Sequence, residues 1–293
     1  MLVWLCVALR IATNPCSNVL QKLLTRQNAH PLGVVCATHG LLSIVCLPIC
    51  IVDSRSLSLA FWLEMLVCTL VGVAGNVLLV EALKRSELSI LGPINAYKSV
   101  VSLVPAMLLL GEIPSPLGLA GVVLVVAGSF GLVDRDAGTP RLKSFALFLA
   151  DRGIQLRFGA LLFSATEAVI FKQALRETSA LTAFAFWSVL GFGVSLMAVA
   201  LLWSKGKLTS DLGILRTNAI TCTSLAVTTG VMQFCTAVTL ERLQVGYSLA
   251  LFQISTIITV ILGHRMFQEG HFLKRLGGAA IMAAGAVLIL GSR

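Results

Sequence analysis

The chain has 293 residues, is 57% hydrophobic and only 12% charged, and has a mean hydropathy of +0.93. Soluble domains carry about 25% charged residues, so a water-soluble globular fold is excluded. The net charge of +9 would suggest nucleic acid in a soluble protein. In a chain this apolar, cytoplasmic loops and anionic lipid headgroups account for it, and no nucleic-acid partner is expected.

A helix needs about 20 apolar residues to cross the hydrocarbon core. On that rule the sequence predicts an all-α membrane protein of about ten spans. They lie near 2–24, 31–52, 61–83, 88–110, 115–133, 157–176, 180–203, 217–240, 243–265 and 271–290. The breaks carry the expected punctuation, among them His30-Pro31, Asp53-Ser54-Arg55 and Ser115-Pro116. The first run has no basic n-region and no small-residue cleavage site, so it reads as a retained span. It carries Arg10, Asn14, Ser17, Asn18 and Gln21 as a stripe at helical spacing. In the second, Cys46 and Cys50 stand one turn apart. These two and the other six cysteines fall in apolar segments without zinc-type pairing, and they read as small membrane hydrophobes. The third carries Thr69, Gly72 and Asn76, with Glu81 near its end.

The fourth span holds Leu91-Gly92-Pro93-Ile94-Asn95-Ala96-Tyr97-Lys98-Ser99-Val100. A lysine at that depth costs about 3 kcal/mol on insertion scales and by default marks a pathway or a binding site. Asn95, Lys98 and Ser102 recur at helical spacing and share a face, while Pro93 and Pro105 each remove a backbone donor. The fifth and tenth spans lack strongly polar interior residues. They carry Gly118, Gly121, Gly128, Gly277, Gly278 and Gly285, which suits close packing against neighbours or against a second subunit in a homodimer. The sixth carries Ser164, Thr166 and Glu167. The eighth carries Thr221, Ser224, Thr228, Gln233, Cys235 and Thr239, and the ninth Tyr247, Ser248, Phe252, Gln253, Ser255 and Thr259. The six polar-striped spans are suited to surround a wet cavity.

The break from 134 to 156 is the longest and splits the spans five and five; its Phe145–Ala150 segment is apolar but too short to cross. The halves look like copies. A shift of about 157 residues lays Asn76 on Gln233, Glu112 on Glu269, Gly121 on Gly278 and Gly128 on Gly285. A shift of about 150 lays Lys22 on Lys172 and Arg26 on Arg176, the Lys205–Arg216 loop absorbing the difference. The predicted units are 1–133 and 157–293, joined by 134–156. An odd number of spans per repeat inverts the second copy, an architecture of secondary carriers whose substrate site lies at the repeat interface near mid-membrane. Loops after odd-numbered spans hold about fifteen Lys/Arg against about five elsewhere, which places both termini outside the cytoplasm.

Ten spans in two five-helix repeats, with Asn18-Val19-Leu20-Gln21-Lys22, Gly75-Asn76, Ala82-Leu83, the Leu91–Ser99 stretch, Leu110-Gly111-Glu112 and Gln268-Glu269, resemble the drug/metabolite transporter superfamily, EamA type. The resemblance spans essentially the whole chain. It implies secondary transport of small organic molecules, often export, with no ATP site and no cofactor. It also implies termini in the cytoplasm, against the charge count, and it supplies no role for Lys98.

The expected site follows from the side-chain chemistry. Asn14, Asn18, Asn76, Asn95, Tyr97, Gln233 and Gln253 would offer neutral hydrogen bonds. Arg10 and Lys98 would offer positive charge for a carboxylate or phosphate, and Glu167, or more weakly Glu81, would carry a coupling proton. Glu112 and Glu269 are expected as helix caps or turn residues. An intramembrane enzyme is disfavoured: the sequence has no His-Glu pair, Asp-rich motif or Gly-x-Ser-x-Gly, and His30, His39, His264 and His271 are scattered. A lipid flippase of the same fold is the alternative. The compact loops point to a bacterial inner membrane.

Overall fold

The structure is a computed structural model that describes residues 1–53, 57–101, 115–132, 141–243 and 245–291. Among the described residues it is all helical. The first half contains α1 (Leu2–Arg26), α2 (Pro31–Asp53), α3 (Leu59–Arg85), α4 (Leu88–Ile94), α5 (Tyr97–Val101) and α6 (Pro116–Ser129). A short α7 (Arg141–Ala150) follows. The second half contains α8 (Arg152–Ala174), α9 (Ala180–Leu202), α10 (Lys205–Thr217), α11 (Ala219–Arg242), α12 (Val245–Phe252), α13 (Ser255–Phe267) and α14 (Phe272–Gly291). Ser102, Pro105 and Glu112 lie outside the described residues.

Polar side chains start these helices where the sequence turns. Ser58, Ser115, Asp151, Ser179 and Ser204 each accept a backbone N–H two or three residues into the helix that follows. Asp151 moves the start of α8 to Arg152, five residues ahead of the expected boundary. The Lys205–Arg216 segment, expected as a loop, is the helix α10.

Among the described residues six helices, α1, α2, α3, α8, α9 and α11, are long and apolar enough to cross a membrane; α6 and α13 are shorter apolar helices. Their burial runs opposite to that of a soluble protein. On α1, Ser17, Asn18, Gln21, Lys22 and Thr25 are buried while Trp4, Leu5 and Leu9 are exposed. Ile44, Val52, Leu59, Leu201 and Ile220 are more than 70% exposed. An apolar exterior this continuous requires a hydrocarbon surround, and the chain is an integral membrane protein.

The principal packings join α1 to α11, α3 to α8, α2 to α9, α4 to α13 and α6 to α14. With α4 and α5 taken as one span and α12 and α13 as another, exchanging the halves maps this set onto itself. The α6–α14 contact shows the direction of the helices. A Cβ on Gly128 would lie 2.8 Å from the Gly278 carbonyl, and one on Gly285 would lie 2.7 Å from that of Gly121. Only hydrogen at these positions lets the two backbones approach so closely. Because 121 meets 285 and 128 meets 278, the two helices run antiparallel.

Candidate functional site

The fourth and ninth spans, expected as continuous helices, are both broken, the fourth after Ile94 and the ninth after Phe252. Pro93 has no N–H and removes one rung, the bond to the Ser89 carbonyl, just before α4 ends at Ile94. The chain tightens instead: Asn95 N donates to Gly92 O, Ala96 N to Pro93 O and Lys98 N to Asn95 O. The carbonyl of Leu91 is thereby released from the helix. In the second half no proline stands at the break, yet Ile254 N bonds Leu251 O and Thr256 N bonds Gln253 O, which separates α12 from α13. The two breaks meet: Asn95 Nδ2 donates to Gln253 Oε1 at 3.4 Å, and these residues are equivalent under the duplication to within one position.

Around this junction is a cavity of about 130 Å³. Arg10, Asn14 and Asn18 of α1 line it, with Asn76 of α3, Asn95 and Lys98 at the first break, and Gln253 at the second. Arg157, Ser164 and Glu167 of α8, Trp187 of α9, and Thr229, Gln233 and Thr236 of α11 complete its polar wall. A cavity of roughly 150 Å³ holds one aromatic ring, so the space fits a small metabolite fragment.

Arg10 donates through Nε to Thr236 Oγ1 at 2.9 Å, lies 4.7 Å over the Phe252 ring, and keeps Nη1 without a partner. Among the described residues the Lys98 ammonium makes no hydrogen bond or ion pair, nor do the amides of Asn18, Asn76 and Gln233. Their hydrogen-bonding capacity is unspent and faces the cavity. Asn14 Nδ2 reaches Ser255 Oγ at 3.3 Å. Glu167 accepts a 2.8 Å hydrogen bond from Trp187 Nε1. Gly72 makes room for that carboxylate, since a Cβ there would lie 2.6 Å from its Oε1.

Arg157 stands at the edge of the expected sixth span, where its charge counts with the loop that orients the chain. It is instead 7% exposed, inside α8. Its Nε takes up the released Leu91 carbonyl at 3.0 Å, and its Nη2 donates to Asn95 Oδ1 at 2.9 Å. The spacing of 157, 160, 164, 167 and 171 along one helical face was the signal for it, available once Asp151 is read as the cap. No local pattern singled out Trp187. Two expected site residues stand apart from the cavity. Tyr97 turns its hydroxyl to Ser129 Oγ at 3.0 Å and its ring against Phe158. Glu81 pairs with Arg85 one turn along α3. The cysteines are free thiols, with Cys16 exposed and Cys6, Cys46, Cys50, Cys68, Cys222 and Cys235 buried.

The cavity therefore presents three cations, one carboxylate and several free amides between two broken helices. A search of curated proteins finds no match. A protein of known crystal structure superposes with a TM-score of 0.59 over 96% of this chain and 95% of its own, at 14% identity, a likeness of fold alone. The family model described as the EamA-like transporter family matches twice, over residues 4–133 and 151–291. Those two matches cover nearly the whole sequence, and the chain belongs to the EamA-like transporter family, membrane transporters of the drug/metabolite superfamily.

Proposed function

We propose that the protein carries a small organic anion, or an amphoteric molecule with a carboxylate or phosphate, across a bacterial inner membrane by alternating access. The single observation that supports the substrate class is the charge of the cavity wall. Arg10, Lys98 and Arg157 outnumber Glu167, and among the described residues Lys98 and one Arg10 nitrogen have no protein partner. An unpaired cation at this depth is costly, and a bound anion would repay that cost. Two inverted five-span repeats rocking about the junction of the two breaks would expose the cavity to each side in turn. The antiparallel α6–α14 contact and the exchangeable helix pairings support this reading. Net export is the direction we favour, by the habit of the family. Glu167, held by Trp187 beside the cations, is the proposed coupling group.

A thermal-shift screen of carboxylates, phosphate esters and amino acids against purified protein tests the proposal. Anionic ligands should stabilise the parent and lose that effect in Lys98→Ala, while neutral analogues do nothing in either. With the hit reconstituted in vesicles, Glu167→Gln should abolish proton-dependent uptake in protein that remains folded. Stabilisation by cations or neutral solutes alone would overturn the assignment.

A further inference from the structure

At the end of the bundle where α1 finishes and α4 begins, a second polar cluster is largely buried. Lys22 donates to Glu269 Oε1 and to the Ser86 carbonyl, both at 2.9 Å. Glu269 accepts the backbone N–H groups of Leu88 and Ser89 at 2.7 Å each, so it caps α4. The side chains of the ion pair are 8% and 4% exposed. Arg275 adds a bond to Ser89 Oγ at 2.7 Å and an ion pair with Glu87. Gly263 makes room for the carboxylate, since a Cβ there would lie 2.5 Å from Glu269 Oε2. The turn that presents Glu269 is strained on both sides, with Gln268 at φ 57° and His271 at φ 54°. Non-glycine residues keep such angles only where their surroundings over-determine them.

We propose that Lys22 and Glu269 form the gate that seals the cavity from this basic face. The inference rests on the alternating-access reading. Lys22 and the α4 N-terminus belong to the first half and the 268–271 turn to the second, so a rocking motion of the halves separates them. Lys22 stands one turn beyond Asn18, which lines the cavity. A buried ion pair suits a gate because its attraction roughly offsets the hydration it forgoes, so the closed and open forms lie close in energy. An apolar seal of the same area would resist opening in proportion to that area. The opposite end repeats half of the device. Lys172, the duplicate of Lys22, donates to the carbonyls of Leu240 and Leu243, and Leu243 is the duplicate of Ser86.

The test uses Ala160→Cys, a small buried cavity-lining position near Gly75, in membrane vesicles of both orientations. A membrane-impermeant maleimide is added from one face at a time, and labelling of the native thiols in the parent is subtracted. Adding Lys22→Gln or Glu269→Gln should speed labelling from the basic face about tenfold or more, with no gain from the other face. Lys22→Arg, which keeps the charge and the donors, should stay at the starting rate. Folded Gln variants labelled no faster would overturn the gate, as would Lys22→Arg labelled as fast as Lys22→Gln. If neither Gln variant folds, hydrogen exchange on the unmodified protein decides. Leu88 and Ser89 amides should open well below the global unfolding energy, and protection equal to that of mid-α3 overturns the gate. A channel-like leak of ions through the folded Ala160→Cys protein, which needs both faces open at once, would instead refute alternating access itself.

Discussion

Lys98→Met separates a ligand-seeking cation from a structural one by the sign of its effect. Burial of an ammonium costs about 3 kcal/mol on insertion scales, and Lys98 has no ion pair within 4 Å among the described residues to offset it. The charges acting on it are one attractive carboxylate, Glu167, and two repulsive guanidinium groups, Arg10 and Arg157. The attraction of Glu167 is the largest of the three and the two guanidinium groups oppose it, so the neighbouring charges partly cancel and leave much of the burial cost standing. Methionine keeps the side-chain length and removes the charge. The ligand-free variant should therefore be more stable than the parent by about 1–3 kcal/mol, with Tm raised by about 2–4 °C for each of those kcal/mol. The same variant should bind the anionic ligand about 10- to 150-fold more weakly, the range set by losing one charged hydrogen bond of about 1.5–3 kcal/mol. Differential scanning fluorimetry without ligand and calorimetric titration with it measure the two halves. A Lys98→Met protein that melts lower than the parent without ligand, or that binds the anion equally well, refutes the reasoning.

Arg157→Met should move stability the other way. It orphans the Leu91 carbonyl and the Asn95 Oδ1, and side-chain bonds in membranes average roughly 0.6 kcal/mol each with orphaned groups costing more, so a loss of about 1–3 kcal/mol in unfolding free energy is expected; an unchanged Tm would mean the break holds without it. Outside the spans, burial pushes the Asp211 carboxyl up, the bond from His30 N and the nearby charges of His30 and Lys207 opposing it. Its folded state thus holds the proton more tightly, and its contribution to stability falls as pH rises from the unfolded to the folded value. Asp211→Asn should remove that fall and be at least as stable as the parent at neutral pH, read from Tm between about pH 3 and pH 7. Glu269 should act in the opposite sense. Burial pushes its carboxyl up, but the bonds from Ser89 and Lys22 outweigh this and hold it below the usual carboxylate range. Its stabilisation is complete above the unfolded value and is lost as pH falls through the folded one, and Glu269→Gln should abolish that acid loss while Asp211→Asn leaves it.

Much of the cavity was legible because a polar side chain in an apolar run has few places to go. Arg10, Asn14, Asn18, Asn76, Asn95, Lys98, Glu167, Gln233 and Gln253 stand out against their neighbours, and all of them line the cavity. Tyr97 stands out on the same ground, but a phenol needs only one partner, and Ser129 supplies it away from the cavity. Glu81 sits where a helix end meets water and pairs with Arg85. Arg157 was hidden by its surroundings in sequence: Arg152, Gly153 and Gln155 give its segment the composition of a loop.

What the chain alone determined is its solvent and its rhythm. Transfer of a side chain to lipid is a local, additive quantity, so hydropathy located the six long spans, and the duplication of glycines, amides and charges displayed two related halves. Which buried polar groups meet is not local. Lys22 and Glu269 are 247 residues apart and Asn95 and Gln253 are 158 apart. The break between α12 and α13, which no proline marks, forms where Gln253 meets the first half. Those pairings exist only because antiparallel helices from opposite halves pack together, and hydrocarbon leaves an unsatisfied polar group no partner except one that the fold brings to it.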